Sequence, residues 1–317
     1  MTKAKMQKEI IPPVDRSLIK DELNRDTFLR KTNNAGNEIY IVTANNAPHT
    51  VREIGRLREL SFRSAGGGTG KELDLDDYDF AEVPYNQLIV WDPVADEIVG
   101  GYRYMCCWEV SKQEDGTPMV ATAALFYFSK KFIDEYLPYT IELGRSFVQP
   151  DYQPSRDNRK SIYSLDNLWD GLGGLVVDHA RLKYFLGKVT MFKDFDPYAR
   201  DLILYFMQRF FPDKDDLLRP HQPLGIHTPH EQLEKEFVSG SFEENYRILS
   251  QKVRERKENI PPLFNSYMGL SPTMKTFGTA LNEGFGNVEE TGIMITVPDI
   301  YDSKSKRHIS TYKKAPK

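Results

Sequence analysis

Two apolar runs, NQLIVWD (86–92) and EIVGGYRYMCCWE (97–109), flank the turn sequence PVAD, and this arrangement constrains the fold more than any other feature. Both runs are rich in β-branched and aromatic residues, so they close as an antiparallel hairpin. The downstream segments set the topology. ATAALFYFS (121–129) reads as a strand, a short helix is expected from Lys131 to Tyr136, and TIELGRSFVQP (140–150) is a strand ended by proline. Leu165, Leu168, Leu172, Leu175, Val176 and His179 recur at helical spacing, which predicts one long helix between Ser161 and Phe185. GKVTMFK (187–193) is the next strand and PYARDLILYFMQRFF (197–211) the next helix. Upstream, NEIYIVTAN (37–45) alternates like a strand, and residues 48–66 form an amphipathic helix with Val51, Ile54, Leu57 and Phe62 inward. The expected fold is therefore α/β in the α+β sense: a mixed, mostly antiparallel sheet, split at its centre and flanked by helices.

The organisation expected along the chain is a polar leader (1–36), a catalytic core (37–225), a C-terminal extension packing on that core (226–300), and a basic tail (301–317). The extension carries a charged helix (241–258), and TGIMITVP (291–298) is expected to be a closing strand. The 317 residues carry a formal charge of −4, which argues against a nucleic-acid partner. The two cysteines, Cys106 and Cys107, are adjacent and make no disulfide framework, as suits a reducing cytosol. Residues 1–15 lack the apolar stretch of a signal peptide, so a cytoplasmic location is expected, with peripheral contact at the inner face of the membrane offered by the basic tail.

Some signals are weaker than they look. AGGGTGKE (65–72) resembles a phosphate-binding loop, yet Ala65 stands at the first glycine position, Glu72 replaces the Ser or Thr, and a helix precedes it. His227 and His230 flank Pro229 and lack further ligands, so no metal is expected. His179 reads as a packed histidine, and the cysteine pair as small strand residues.

ELGRSFVQP (142–150), LWDGL (168–172), GGYRY (100–104), RLRELSF (56–62), DLDDYD (74–79) and IPPLFNSYMGLSPTM (260–274) together resemble the GNAT-fold N-acyltransferases of the ornithine-lipid and glycine-lipid type. These are in turn similar to acyl-homoserine-lactone synthases and N-acyl amino acid synthases. The resemblance implies transfer of a (3-hydroxy) fatty acyl group from acyl carrier protein to the α-amine of a small amino acid, as the first step of aminolipid synthesis. No tightly bound cofactor is implied; the acyl-phosphopantetheine of the carrier is a co-substrate. Glycine is preferred over ornithine, because no acidic cluster beyond DLDDYD is present to receive a second ammonium. Two alternatives stay open: an acyl-homoserine-lactone-type signal synthase, and a non-catalytic protein that binds acyl carrier or membrane.

The resemblance also assigns roles. Glu142 is the expected base, Arg145 holds a carboxylate, and Tyr198 protonates the departing thiolate. Arg58, Arg103, Asp76, Asp79, Phe62, Gly144 and Ser146 are expected at the substrate, with Asp76 and Asp79 holding the arginines. Arg156, Arg159 and Lys160 are expected to meet the phosphopantetheine and the acidic carrier. Strict alternation would put Glu142 and Arg145 on opposite faces of their strand, so a β-bulge within Leu143 to Ser146 is predicted, with Gly144 permitting it.

Overall fold

The computed structural model describes residues 7–153, 163–238 and 240–314. Along the chain it forms α1 (Arg16–Glu22), β1 (Phe28–Lys31), β2 (Glu38–Val42), α2 (Pro48–Ser64), β3 (Asn86–Asp92), β4 (Glu97–Cys106), β5 (Phe126–Phe128), β6 (Thr140–Val148), α3 (Ser164–Asp178) and β7 (Tyr184–Met191). It continues with α4 (Pro197–Phe210), β8 (Leu218–Pro220), α5 (His230–Glu236), α6 (Phe242–Glu255), α7 (Pro262–Met268), β9 (Lys275–Asn282), β10 (Val288–Thr296) and α8 (Asp302–His308). Eight strands make one sheet in the order β1-β2-β3-β4-β6-β7-β10-β9, and β5 and β8 pair separately.

Side-chain alternation divides the core by faces. On β3, Leu88 and Val90 pack with Leu168, Leu172, Ile203 and Phe264 of α3, α4 and α7, whereas Ile89 and Trp91 pack with Val51, Ile54 and Leu57 of α2. The first face is one continuous core. The second carries two separate cores, that beneath α2 and another around Phe126, Phe132, Leu186, Phe277 and Met294. Between those two cores the sheet comes apart: β6 and β7 are parallel partners only over Thr140–Glu142 and Tyr184–Leu186.

Several segments differ from the sequence expectation. The helix expected from Ser161 to Phe185 ends at Asp178, because Tyr184 and Phe185 are drawn into the strand that pairs with β6 and β10. Residues 121–124 form a 3₁₀ turn rather than a strand, since the Thr122 N–H turns inward to donate to Glu142. The leader contributes α1 and the edge strand β1. The segment 226–300 supplies β9 and β10, and β10 covers an edge of β7 that would otherwise be unpaired. The basic tail is partly helical: α8 docks on α3, where His308 is buried with its Nδ1 2.8 Å from Asp170 and Arg307 lies 2.8 Å from Asp166. A Cβ on Gly173 would lie 2.2 Å from the His308 carbonyl, so glycine is what permits the approach. Among the described residues, no helix is long and apolar enough to cross a membrane.

Candidate active site

The predicted bulge is present. On β4, Gly101 and Arg103 are two positions apart, while their β6 partners Phe147 and Gly144 are three apart, so β6 holds one extra residue. The faces record it: Ile141 and Leu143 point into the continuous core, and Phe147 points into the core beneath α2. The strain sits at Arg145, whose φ is +50°, rather than at Gly144. A left-handed conformation costs a non-glycine residue of order 1 kcal/mol or more. Here it turns the guanidinium toward the same side as Glu142.

Beyond Glu142 the split opens a cleft of about 250 Å³. Glu142, Gly144, Arg145 and Ser146 of β6 line it, with Lys188 and Thr190 of β7, Glu290 of β10, Phe62 of α2, and Phe285. Tyr78, Tyr85, Asp76 and Arg103 form the wall beneath α2, and Ala121, Ala124 and Leu125 form a second wall. A Cβ on Gly144 would meet nothing within 4 Å, so this position faces open space.

The DLDDYD stretch is a counter-charge for the arginines. Arg58 Nε lies 3.1 Å from Asp74 and its Nη1 3.6 Å from Asp79. Arg103 Nη1 lies 2.6 Å from Asp76 and 3.2 Å from Asp79. Arg145 Nε lies 2.9 Å from Asp74, and its guanidinium stacks 4.3 Å above the Phe285 ring. Burial opposes ionisation of Asp74, but Arg145, Arg58 and Arg103 together outweigh it and lower its pKa to about 2. Burial likewise opposes the charge on Arg103, and Asp79 and Asp76 more than restore it. Asp76 and Asp79 also form a reciprocal cap, the Asp76 side chain accepting from the Tyr78 N–H and Asp79 from the Asp76 N–H. The loop is thus fixed by charge and by its own backbone.

The expected site residues therefore separate into groups. Glu142, Arg145, Arg103, Asp76, Phe62, Gly144 and Ser146 meet at the cleft. Arg58 and Asp79 are enclosed behind it, at 0% and 1% exposure, and frame the site without lining it. Tyr198 lies elsewhere: it opens α4 and its hydroxyl donates to Glu236 at 2.9 Å, because the Asp196 cap and α5 hold that helix end away from the split. Arg156, Arg159 and Lys160 lie outside the described residues. No group of three or more potential metal ligands occurs among the described residues.

Other residues at the cleft were not singled out from sequence. Tyr85 donates its hydroxyl proton to Glu142 Oε2 and accepts from the Ala121 N–H at 2.8 Å. Burial, reinforced by the Glu142 carboxylate, holds its pKa well above the usual tyrosine value. Glu142 Oε1 accepts from the Thr122 N–H at 2.6 Å, so both carboxylate oxygens are engaged. Lys188 Nζ donates to Thr122 Oγ1 at 2.9 Å. A charged residue flanked by glycine and valine inside a largely apolar strand is the signal that marks Lys188 in GKVTMF; Glu290, beside Glu289 and Thr291 in EETGIMI, carries no such local signal.

Residues 57–159 match the acetyltransferase (GNAT) domain family. A glycine Nα-acyltransferase of Phocaeicola vulgatus is 53% identical over 306 residues, covering 96% of this chain and 94% of that protein. A glycine Nα-acyltransferase of Bacteroides thetaiotaomicron is 53% identical over 304 residues, covering 96% and 90%. The solved structure of a CoA-dependent acyl-homoserine lactone synthase with SAM and isopentyl-CoA aligns with 87% of this chain and 89% of that chain, at a TM-score of 0.39 and 13% identity. Similarity at this level along nearly the whole chain, joined to a GNAT domain match that includes β3, β4 and β6, shows that the protein is an acyltransferase enzyme belonging to the glycine Nα-acyltransferase family.

Proposed function

We propose that this enzyme transfers a (3-hydroxy) fatty acyl group from the phosphopantetheine thioester of acyl carrier protein to the α-amine of glycine, the opening step of aminolipid synthesis. One observation carries the proposal: β6 and β7 stop pairing at Glu142 and Leu186, and the gap is lined at once by backbone, by Arg145 and by carboxylates. The thioester carbonyl enters this gap and takes N–H donors from β6. Each such donor to the developing oxyanion stabilises it by about 3 to 4 kcal/mol. Holding the amine against the carbonyl carbon removes roughly 7 to 11 kcal/mol more of the barrier.

The chemistry balances without an enzyme-bound intermediate. The glycine ammonium gives up a proton to a carboxylate of the cleft, its nitrogen lone pair forms the C–N bond, and the C–S bond breaks to release the thiolate. Amide formation sheds a second proton, so one proton goes to the thiol and one to solvent. Arg145, held from behind by Asp74, offers the rest of its guanidinium to the glycine carboxylate. Glu142, with both oxygens engaged, acts by its charge: it favours the positive nitrogen of the tetrahedral addition product and orients Tyr85. Glycine fits better than ornithine, since Asp74, Asp76 and Asp79 are already paired with Arg58, Arg103 and Arg145.

Purified protein incubated with long-chain and 3-hydroxy acyl carrier protein, the matching acyl-CoA, and a panel of amino acids tests the proposal by mass spectrometry. N-acylglycine from the carrier thioester is the expected product. A lactone, or N-acylornithine in excess of N-acylglycine, would overturn it.

A further inference from the structure

Glu290 is buried, at 4% exposure, and lines the cleft, yet its Oε2 has no hydrogen-bond partner among the described residues. Its Oε1 is only 3.3 Å from Asn282 Nδ2. A buried carboxylate oxygen left without a donor costs free energy, and it is retained where a ligand supplies the donor. The strand registers set where it points. Glu290 is paired with Thr190, Gly292 with Lys188, and Glu142 with Leu186, so alternation puts Glu290, Thr190, Lys188 and Glu142 on one sheet face. That is the face on which β6 and β7 separate.

Resting on the function proposed above, we infer that Glu290 is the carboxylate that receives the acceptor ammonium and removes its proton. Glu142, the base expected from sequence, has Tyr85 on one oxygen and the Thr122 amide on the other; Glu290 has an oxygen to spare. Arg145 and Glu290 then hold the two ends of a zwitterionic amino acid, carboxylate to guanidinium and ammonium to carboxylate. The proton passes from nitrogen to Glu290 Oε2, the freed lone pair attacks the thioester carbon, and the proton leaves to solvent after the thiol departs. The charged and titratable groups facing this site are Lys188 on β7, Glu142 and Arg145 on β6, and Asp76, Tyr78, Tyr85 and Arg103 on the wall beneath α2. Lys188 is tethered to Thr122.

The test compares wild type, Glu290→Gln and Glu290→Asp with glycine and with aminoacetonitrile, an acceptor whose amine is largely neutral near pH 7. Turnover of glycine by wild type establishes the underlying function, and its absence would overturn that function rather than the role of Glu290. Glu290→Gln is expected to lower kcat/KM for glycine by about 10²-fold or more, with KM for the thioester unchanged. Its glycine rate should climb with pH as free amine appears, and its loss with aminoacetonitrile should be under about tenfold because no proton need be removed first. Glu290→Asp, which keeps the charge, should retain the wild-type pH profile at reduced rate, and reads the same role if the glutamine variant fails to fold. An unchanged glycine profile in Glu290→Gln, an equal loss with both amines, or a change confined to the thioester KM would each overturn the assignment.

Discussion

Arg145 and Asp74 are 71 positions apart in the chain and 2.9 Å apart in space, joined because one extra residue in β6 turns the arginine across its strand. The bulge and the acidic loop are therefore a single device: the loop neutralises the guanidinium from behind, and the bulge presents what remains to the cleft. Arg145→Lys keeps the charge but loses the planar fork and the stacking on Phe285. Steady-state kinetics should show KM for glycine raised about 10-fold or more, equivalent to about 1.4 kcal/mol, with a smaller change in KM for the acyl donor.

Asp74 makes stability depend on acid. Its pKa falls from 3.8 to about 2 on folding, because three arginines outweigh its burial. The unfolded chain therefore binds more protons between these values, so the stabilisation is fully present above about pH 4 and is lost as pH falls through 2. The contribution is about 2 kcal/mol. Denaturant titrations from pH 6 to pH 2 should show the wild type losing this increment, and Asp74→Asn showing a flatter profile from a lower starting stability.

Enclosed charges behind the cleft are structural. Arg58→Met leaves Asp74 and Asp79 buried without one of their partners, and breaking such a cluster costs about 3 to 5 kcal/mol. Thermal unfolding should report the loss directly. Tyr198→Phe removes only the hydroxyl's bonds to Glu236 and Gln232 on α5, so turnover should stay at wild-type level and stability should fall by about 1 kcal/mol.

Glu142 combines both kinds of role. Glu142→Ala strands the Tyr85 hydroxyl proton and the Thr122 N–H, each about 1 to 3 kcal/mol when buried without a partner. Glu142→Gln preserves the shape, and calorimetry should place it between alanine and wild type. Its kcat should fall at both high and low pH alike, since charge rather than proton uptake is lost.

The fold was largely legible because its signals are local. The hairpin of β3 and β4, the strand that became β6, and the helix α4 follow from apolar periodicity, and the bulge follows from two charges that alternation alone would separate. The rest depends on distant partners. Residues 121–124 lost their strand to a hydrogen bond with Glu142, which no local pattern encodes. Tyr85 and Glu290 reach the cleft only through the pairing of β4 with β6 and of β10 with β7, strands far apart in sequence. Tyr198 resembled a site residue by its place after the β7 strand, yet the direction of α4 carries it to Glu236.

Gly144 gives access to the central claim, because its Cβ position faces open space and its φ is not left-handed. Gly144→Val should fold with stability within about 0.5 kcal/mol of wild type while its side chain fills part of the cleft. The most direct measurement is a crystal structure of the wild type with glycine and an acyl-phosphopantetheine analogue in which a methylene separates the carbonyl from sulfur. The carbonyl oxygen is predicted within hydrogen-bond distance of β6 backbone between Glu142 and Ser146, with the glycine carboxylate at Arg145. An analogue bound outside the β6 and β7 gap would contradict the account.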